Sequence, residues 1–159
     1  MLYLVRHAKA GSRADWVGAD RLRPLTKGGV RQAEALAERL APLVAAADAE
    51  LVSSPYLRCV QTIEPLATRL GRSVRLDERL AEEAGFAGAL ELLTDLPDGS
   101  VMCSHGDVIP ETVEALLRRG CVLSGTPESG KGAVWVLTRR GTEVVHAEAW
   151  PPPDSRSRP

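Results

Sequence analysis

The chain is poor in cysteine and histidine, with three of each in 159 residues. Cys59, Cys103 and Cys121 form no CxxC pair and no cluster with histidine at metal-ligand spacing, so no metal site is expected. An odd, scattered set is no disulfide framework and points to reduced thiols in a cytoplasmic protein. Long apolar runs are also missing, and none approaches the roughly 20 residues of a membrane span. The apolar stretch behind Met1 is interrupted at Arg6, too short for a signal peptide. Net charge is −1, so bulk electrostatics offers nothing to nucleic acid or an anionic membrane, and neither is expected as a partner. No internal repeat is present.

What remains is an ordinary globular composition, 44% hydrophobic and 26% charged, long enough to bury a core. One domain is expected over residues 1–150. The segment 151–159, with three consecutive prolines and little to bury, is expected to be a disordered tail.

Short apolar runs alternate with helical periodicity along the domain. Leu2 to Val5 reads as a buried strand, and residues 8–24, rich in Gly, Ser, Asp and Arg, as the loop after it. Thr26 is a suitable N-cap for a helix carrying Ala33, Leu36, Ala37 and Leu40, with Pro42 to end or kink it. Leu51-Val52 is a second strand. Ser53-Ser54-Pro55 then starts a helix with Pro in the first turn, and this helix stops at Gly71. Val74 to Leu76 and Val101 to Cys103 read as strands, Ala87 to Leu93 and Ile109 to Arg119 as helices. Ala133 to Thr138 and Glu143 to Ala149 read as a hairpin. The pattern predicts a three-layer α/β/α sandwich with a mostly parallel central sheet, whose ligands bind beyond the carboxyl ends of the strands.

Two of the histidines stand at such ends. His7 follows Leu4-Val5-Arg6, and His105 follows Val101-Met102-Cys103-Ser104 and precedes Gly106. Phosphoryl transfer needs a nucleophile in line, positive charge around three oxygens and an acid for the leaving group. Nearby arginines would lower the pKa of His7 and keep it neutral, able to attack phosphorus. Arg6 and Arg58 offer guanidinium forks for a phosphate. No CxxxxxR segment is present, which disfavours a cysteine phosphatase.

Four ordered motifs resemble the histidine phosphatase superfamily, which includes the cofactor-dependent phosphoglycerate mutases. They are Leu4-Val5-Arg6-His7-Ala8; Leu25-Thr26 with Gly29 and Gln32-Ala33; Ser53-Ser54-Pro55-Tyr56-Leu57-Arg58 with Gln61-Thr62; and Ser104-His105-Gly106. The resemblance spans residues 1 to about 149. It implies that His7 is the phosphorylated nucleophile and that Arg6, Arg58 and His105 form the phosphate pocket. Leu80-Ala81-Glu82 fits the family's acid pattern, which implies Glu82 as proton donor, with Glu83 its adjacent rival. No cofactor and no metal are implied. Many members carry Gly after the first histidine, whereas this chain has Ala8-Lys9-Ala10, which makes Lys9 a candidate for substrate binding. The lid insertions of mutases are missing, which favours a compact phosphatase with an open site. The short chain resembles the SixA-type branch. Runs such as Arg23-Pro24-Leu25 and Lys131-Gly132-Ala133-Val134-Trp135 are also similar to the histidine phosphatase domain of actinobacterial MutT-type Nudix fusions.

The expected substrate is a phosphorylated small molecule, a nucleotide or a phosphohistidine protein. A non-catalytic phosphate-recognition module and a phosphotransferase remain as alternatives. His146 reads as structural or solvated. Trp16, Arg21 and Arg23 sit in the loop beside the expected mouth, and Lys131 reads either as a substrate contact or as a turn lysine.

Overall fold

The computed structural model describes residues 1–44 and 46–154. Leu2, Tyr3, Leu4 and Val5 of β1 (Leu2–Arg6) are all buried, the pattern of a central strand covered on both faces. Thr26 caps α1 (Lys27–Leu40) by accepting a hydrogen bond from the Gly29 amide, and the helix ends two residues before Pro42. The following elements are β2 (Leu51–Ser53), α2 (Leu57–Leu70), β3 (Val74–Leu76), α3 (Ala87–Asp95), β4 (Val101–Ser104) and α4 (Val108–Arg118). Three strands close the chain: β5 (Val122–Ser124), β6 (Val134–Arg140) and β7 (Glu143–Trp150).

The seven strands form one sheet in the order β3-β2-β4-β1-β6-β7-β5. Pairings of β2 with β3, β2 with β4, β1 with β4 and β5 with β7 are parallel. Among the seven strands of the described residues only the β1–β6 and β6–β7 pairings are antiparallel, and outside them Ala10 and Leu25 form one isolated antiparallel bridge. Leu2 and Leu4 join α3 and α4 side chains such as Leu93, Ile109 and Val113 in one apolar cluster. Tyr3 and Val5 join Leu36, Leu40, Ile63 and Leu66 of α1 and α2 in another, on the opposite face. The expected three layers and mostly parallel sheet are therefore present. No helix of the described residues is long and apolar enough to cross a membrane.

Two details differ from the sequence reading. The helix expected to start at Ser53-Ser54-Pro55 starts at Leu57, with Tyr56 as its N-cap. A residue before proline avoids helical backbone, and the Ser54 side chain is committed elsewhere, so this stretch is a connection. The edge strand β5 was not expected, because three residues with an exposed–half-buried–exposed pattern carry no periodic signal. The turn before it holds Gly120 at a φ of 97°, a left-handed backbone that suits glycine. Of the predicted tail, residues 155–159 lie outside the described residues.

The register of the sheet sets up the site. Arg6 on β1 pairs with Ser104 on β4, so His7 and His105 leave neighbouring strands at the same carboxyl edge. The His7 amide donates to the Ser104 carbonyl at 3.1 Å, which carries the ladder one step past the strands.

Candidate active site

His7 is buried, and its Nδ1 lies 2.8 Å from the Ala8 carbonyl oxygen. A carbonyl only accepts, so Nδ1 carries the proton and Nε2 keeps the lone pair. Burial lowers the pKa most, and the charges of His105, Arg58 and Arg6 lower it further, against the opposing pull of the Ala8 bond; the result is about 3. At neutral pH the ring is an uncharged imidazole with an available nitrogen nucleophile.

His105 stands edge-on to His7, with ring centroids 5.4 Å apart. Its Nε2 is 2.8 Å from Ser54 Oγ and 3.5 Å from Cys59 Sγ, both buried. Cys59, Cys103 and Cys121 are free thiols, all buried. Anchored through Nε2, the ring leaves Nδ1 buried without a protein partner. Arg6 packs against the backbone of the next residue. A Cβ placed on Gly106 would come within 2.6 Å of the Arg6 Cζ, which explains glycine at this point of Ser104-His105-Gly106. The Arg6 guanidinium also donates through Nη1 to the Ser129 carbonyl, while its Nε has no partner among the described residues.

Arg58 on α2 is only 1% exposed, a burial that a guanidinium tolerates only when it is well paired. Its Nη1 donates to the Asp20 carbonyl at 3.0 Å, and its Nη2 to Asp20 Oδ2 at 3.1 Å and Glu82 Oε2 at 3.0 Å. Its Nε is buried without a partner. Asp20 also accepts from Arg23 Nε at 2.9 Å. Burial alone would raise the Asp20 pKa, but the Arg23 hydrogen bond and the Arg58 and Arg23 charges outweigh it and hold the carboxyl below its ordinary value. Glu82 bonds Arg13 Nη2 at 2.6 Å across the mouth.

A cavity of about 320 Å³ brings together five of the six candidate residues: Arg6, His7, Arg58, Glu82 and His105. The sixth, Lys9, is exposed and does not line it; the lysine that does is Lys131. Glu83, the rival to Glu82, is exposed at a φ of 66°, its amide held 2.8 Å from Asp107 Oδ2. Arg23 reaches the cavity, whereas Arg21 pairs with Glu78 and lies over the Tyr56 ring. Trp16 stays outside the cavity and donates to the Ala19 carbonyl. His146 bonds Ser124 Oγ at 2.6 Å, far from the site on the β5–β7 edge.

Sequence reasoning missed Asp20, Asp107 and Arg13. Their only signal was position, in the loops that follow β1 and β4. It also left unexplained why Gly29, Gln32, Gln61 and Thr62 belong to the motifs. Gly29 is needed because a Cβ there would overlap the Lys9 carbonyl. Gln32 Oε1 accepts from the Lys9 amide, Gln61 Oε1 from the Leu25 amide and Thr62 Oγ1 from the Ala8 amide, each at 2.9 Å. These side chains clamp the loop after β1 to α1 and α2. Among the described residues no group of three or more His, Cys, Asp or Glu is placed to hold a metal ion.

Residues 2–91 match the sequence model of the histidine phosphatase superfamily, branch 1. The chain belongs to this superfamily. It is 39% identical to a Mycolicibacterium smegmatis 8-oxo-(d)GTP phosphatase over 96% of its own length. It spans about half of that relative, 48% of its length. Among solved structures, a SixA-type protein from Nakamurella multipartita superposes with a TM-score of 0.70 at 27% identity, covering 95% of each chain. The protein histidine phosphatase SixA complexed with tungstate shares the fold, with a TM-score of 0.66 at 24% identity over 93% of this chain and 92% of that one.

Proposed function

We propose that this superfamily member is a phosphatase that works through a phosphohistidine on His7. The observation that carries the reading is the fixed tautomer of His7: Nδ1 bound to the Ala8 carbonyl and Nε2 unprotonated, in a cavity walled by Arg6, Arg58 and His105. Nε2 attacks phosphorus and the bond to the leaving oxygen breaks. Water then attacks the same phosphorus, the N–P bond breaks, and inorganic phosphate and free His7 result. Arg6 Nε, Arg58 Nε and His105 Nδ1 are donor-capable buried nitrogens without protein acceptors, and phosphoryl oxygens supply those acceptors. A bound phosphoryl group competes with Glu82 and Asp20 for Arg58, which frees the Glu82 carboxylate to take up a proton brought by the substrate's phosphate or by solvent, to pass it to the leaving oxygen and then to take one from the attacking water.

The substrate is a phosphate ester, a phosphoramidate or a nucleotide-type phosphate. The name of the Mycolicibacterium relative favours the nucleotide class, and the SixA-type neighbours favour phosphohistidine proteins. The test is phosphate release by wild type and His7→Ala from a panel holding nucleoside di- and triphosphates, a phosphohistidine protein and an aryl phosphate. Wild type is expected to turn over at least one class and to yield an acid-labile phosphoenzyme. His7→Ala, folded by circular dichroism, is expected to do neither. Hydrolysis retained in pure His7→Ala would remove the phosphohistidine mechanism.

A further inference from the structure

Lys131 lies in the Gly130-Lys131-Gly132 turn that enters β6, and the turn is pinned to the strand end that carries the nucleophile. The Gly132 amide is shared between the Arg6 and His7 carbonyls at 3.2 and 3.1 Å, and Gln32 Nε2 donates to the Lys131 carbonyl at 3.3 Å. Lys131, an exposed residue, lines the same cavity as His7, Arg6, Arg23 and Arg58. The other cations there have partners. Arg13 and Arg58 share Asp20 and Glu82, Arg23 has Asp20, and Arg6 has the Ser129 carbonyl. Lys131 forms no ion pair or side-chain hydrogen bond among the described residues. Partial burial lowers its pKa, and the neighbouring charges of Arg6, Arg23, Lys9 and Arg58 lower it further. The amides just before it are not available to an anion, because Ser129 N and Gly130 N both donate to Glu128 Oε1 at 2.9 Å. The ammonium is the group this turn presents.

One phosphoryl group held by Arg6, Arg58 and His105 leaves Lys131 without a counter-charge. We infer that Lys131 forms a second anion subsite beside the nucleophile, taking the phosphate next to the scissile one, so that the favoured substrates are phosphoanhydrides. The inference rests on His7 being the site of phosphoryl transfer. His7 Nε2 attacks the terminal phosphorus and the bridging P–O bond breaks. The remaining phosphate leaves with that oxygen, neutralised by Lys131 and a proton from Glu82. Water then cleaves the N–P bond to give inorganic phosphate. A flexible ammonium suits this task, since it follows a leaving phosphate without imposing a fork geometry.

The test is titration calorimetry of inorganic phosphate and pyrophosphate with wild type, Lys131→Ala and Lys131→Arg, each checked for an unchanged melting curve. Wild type is expected to bind pyrophosphate more tightly than phosphate. The ratio of the two affinities is expected to fall about tenfold in Lys131→Ala, as for loss of one charge-assisted contact, and to recover largely in Lys131→Arg. A ratio unchanged within twofold in Lys131→Ala, or no preference for pyrophosphate in wild type, overturns the subsite. Turnover of a nucleoside diphosphate against pyrophosphate then identifies the source of the anhydride, and loss of selectivity in Lys131→Ala for either one supports the inference. If His7→Ala retains phosphate release, the phosphohistidine reading fails while the calorimetric ratio still decides the role of Lys131.

Discussion

Gly106→Ala isolates the geometry of Arg6 from its chemistry. The added methyl would stand 2.6 Å from the Arg6 Cζ and Nη2 and 2.8 Å from its Nε. Carbon–carbon contact is comfortable at about 3.5–4.0 Å, so the guanidinium must retreat by about 1 Å. The backbone at Gly106 lies outside the left-handed region, so alanine adopts it without strain, and the atoms displaced belong to a flexible side chain. Stability should therefore change by less than about 1 kcal/mol. Catalysis should suffer more, because misplacing a transition-state donor by about 1 Å costs on the order of 10²-fold. The assay is kcat/KM for an aryl phosphate beside urea unfolding, for Gly106→Ala, Arg6→Ala and the double variant. Both substitutions act through one guanidinium, so the double variant should be no slower than Arg6→Ala alone. The reasoning fails if Gly106→Ala keeps activity within threefold of wild type, or if the two losses multiply.

Two further outcomes follow from the histidines. Unfolded His7 takes up a proton near its ordinary value of 6.5, and folded His7 only near 3. Between those values the unfolded chain binds more protons, so this residue makes the fold lose stability as pH falls from 6.5 toward 3, by roughly 1.4 kcal/mol per pH unit and roughly 3–5 kcal/mol in all. Denaturant unfolding at pH 4, 5 and 7 should show a slope shallower in His7→Asn than in wild type, and equal slopes would contradict the neutral buried ring. Ser54→Ala leaves His105 Nε2 with only the Cys59 contact at 3.5 Å. It should destabilise by about 1–3 kcal/mol and slow turnover about tenfold, measured by urea titration and kcat/KM; wild-type values in both would mean that Ser54 does not hold the ring.

The parts of the site that were legible in the sequence are those a strand delivers. Leu2 to Val5 and Val101 to Cys103 are continuous apolar runs, so they could only be buried strands, and whatever follows them must emerge at the ligand edge. His7 and His105 were therefore placed by pattern alone. Arg58 and Glu82 needed the motifs, since a helix arginine and a loop glutamate carry no periodic signal. Glu82 and Glu83 differ only in three dimensions, where Glu82 lines the cavity while Glu83 is left-handed and exposed with its amide bonded to Asp107. Lys9 shows how little adjacency along the chain says about placement. It follows His7 by two positions, yet its backbone is tied to Gln32 and Thr26, and the residue is exposed and does not line the cavity. Lys131 enters the cavity because β6 runs antiparallel to β1 and returns a distant turn to the same edge, a consequence of topology that spacing along the chain does not encode.

The buried arginine completes the physical account of the site. Arg58, at 1% exposure, is bound to Asp20 and Glu82 rather than left to desolvation, so the proposed phosphate pocket holds its arginine without an anion. The same pairing would make phosphate binding at Arg58, as proposed, an exchange of acceptors. Asp20 is fixed by Arg23 as well, and so stays in place when Arg58 turns to phosphate. Glu82 keeps only Arg13, whose side chain is 63% exposed and whose hold is screened by water. In the proposed mechanism Glu82 is therefore the one of the two carboxylates on Arg58 that is released, and so the one available to move a proton. The loop after β1 thus makes two contacts that bear on the proposal: Asp20 anchors the arginine and Arg13 holds Glu82.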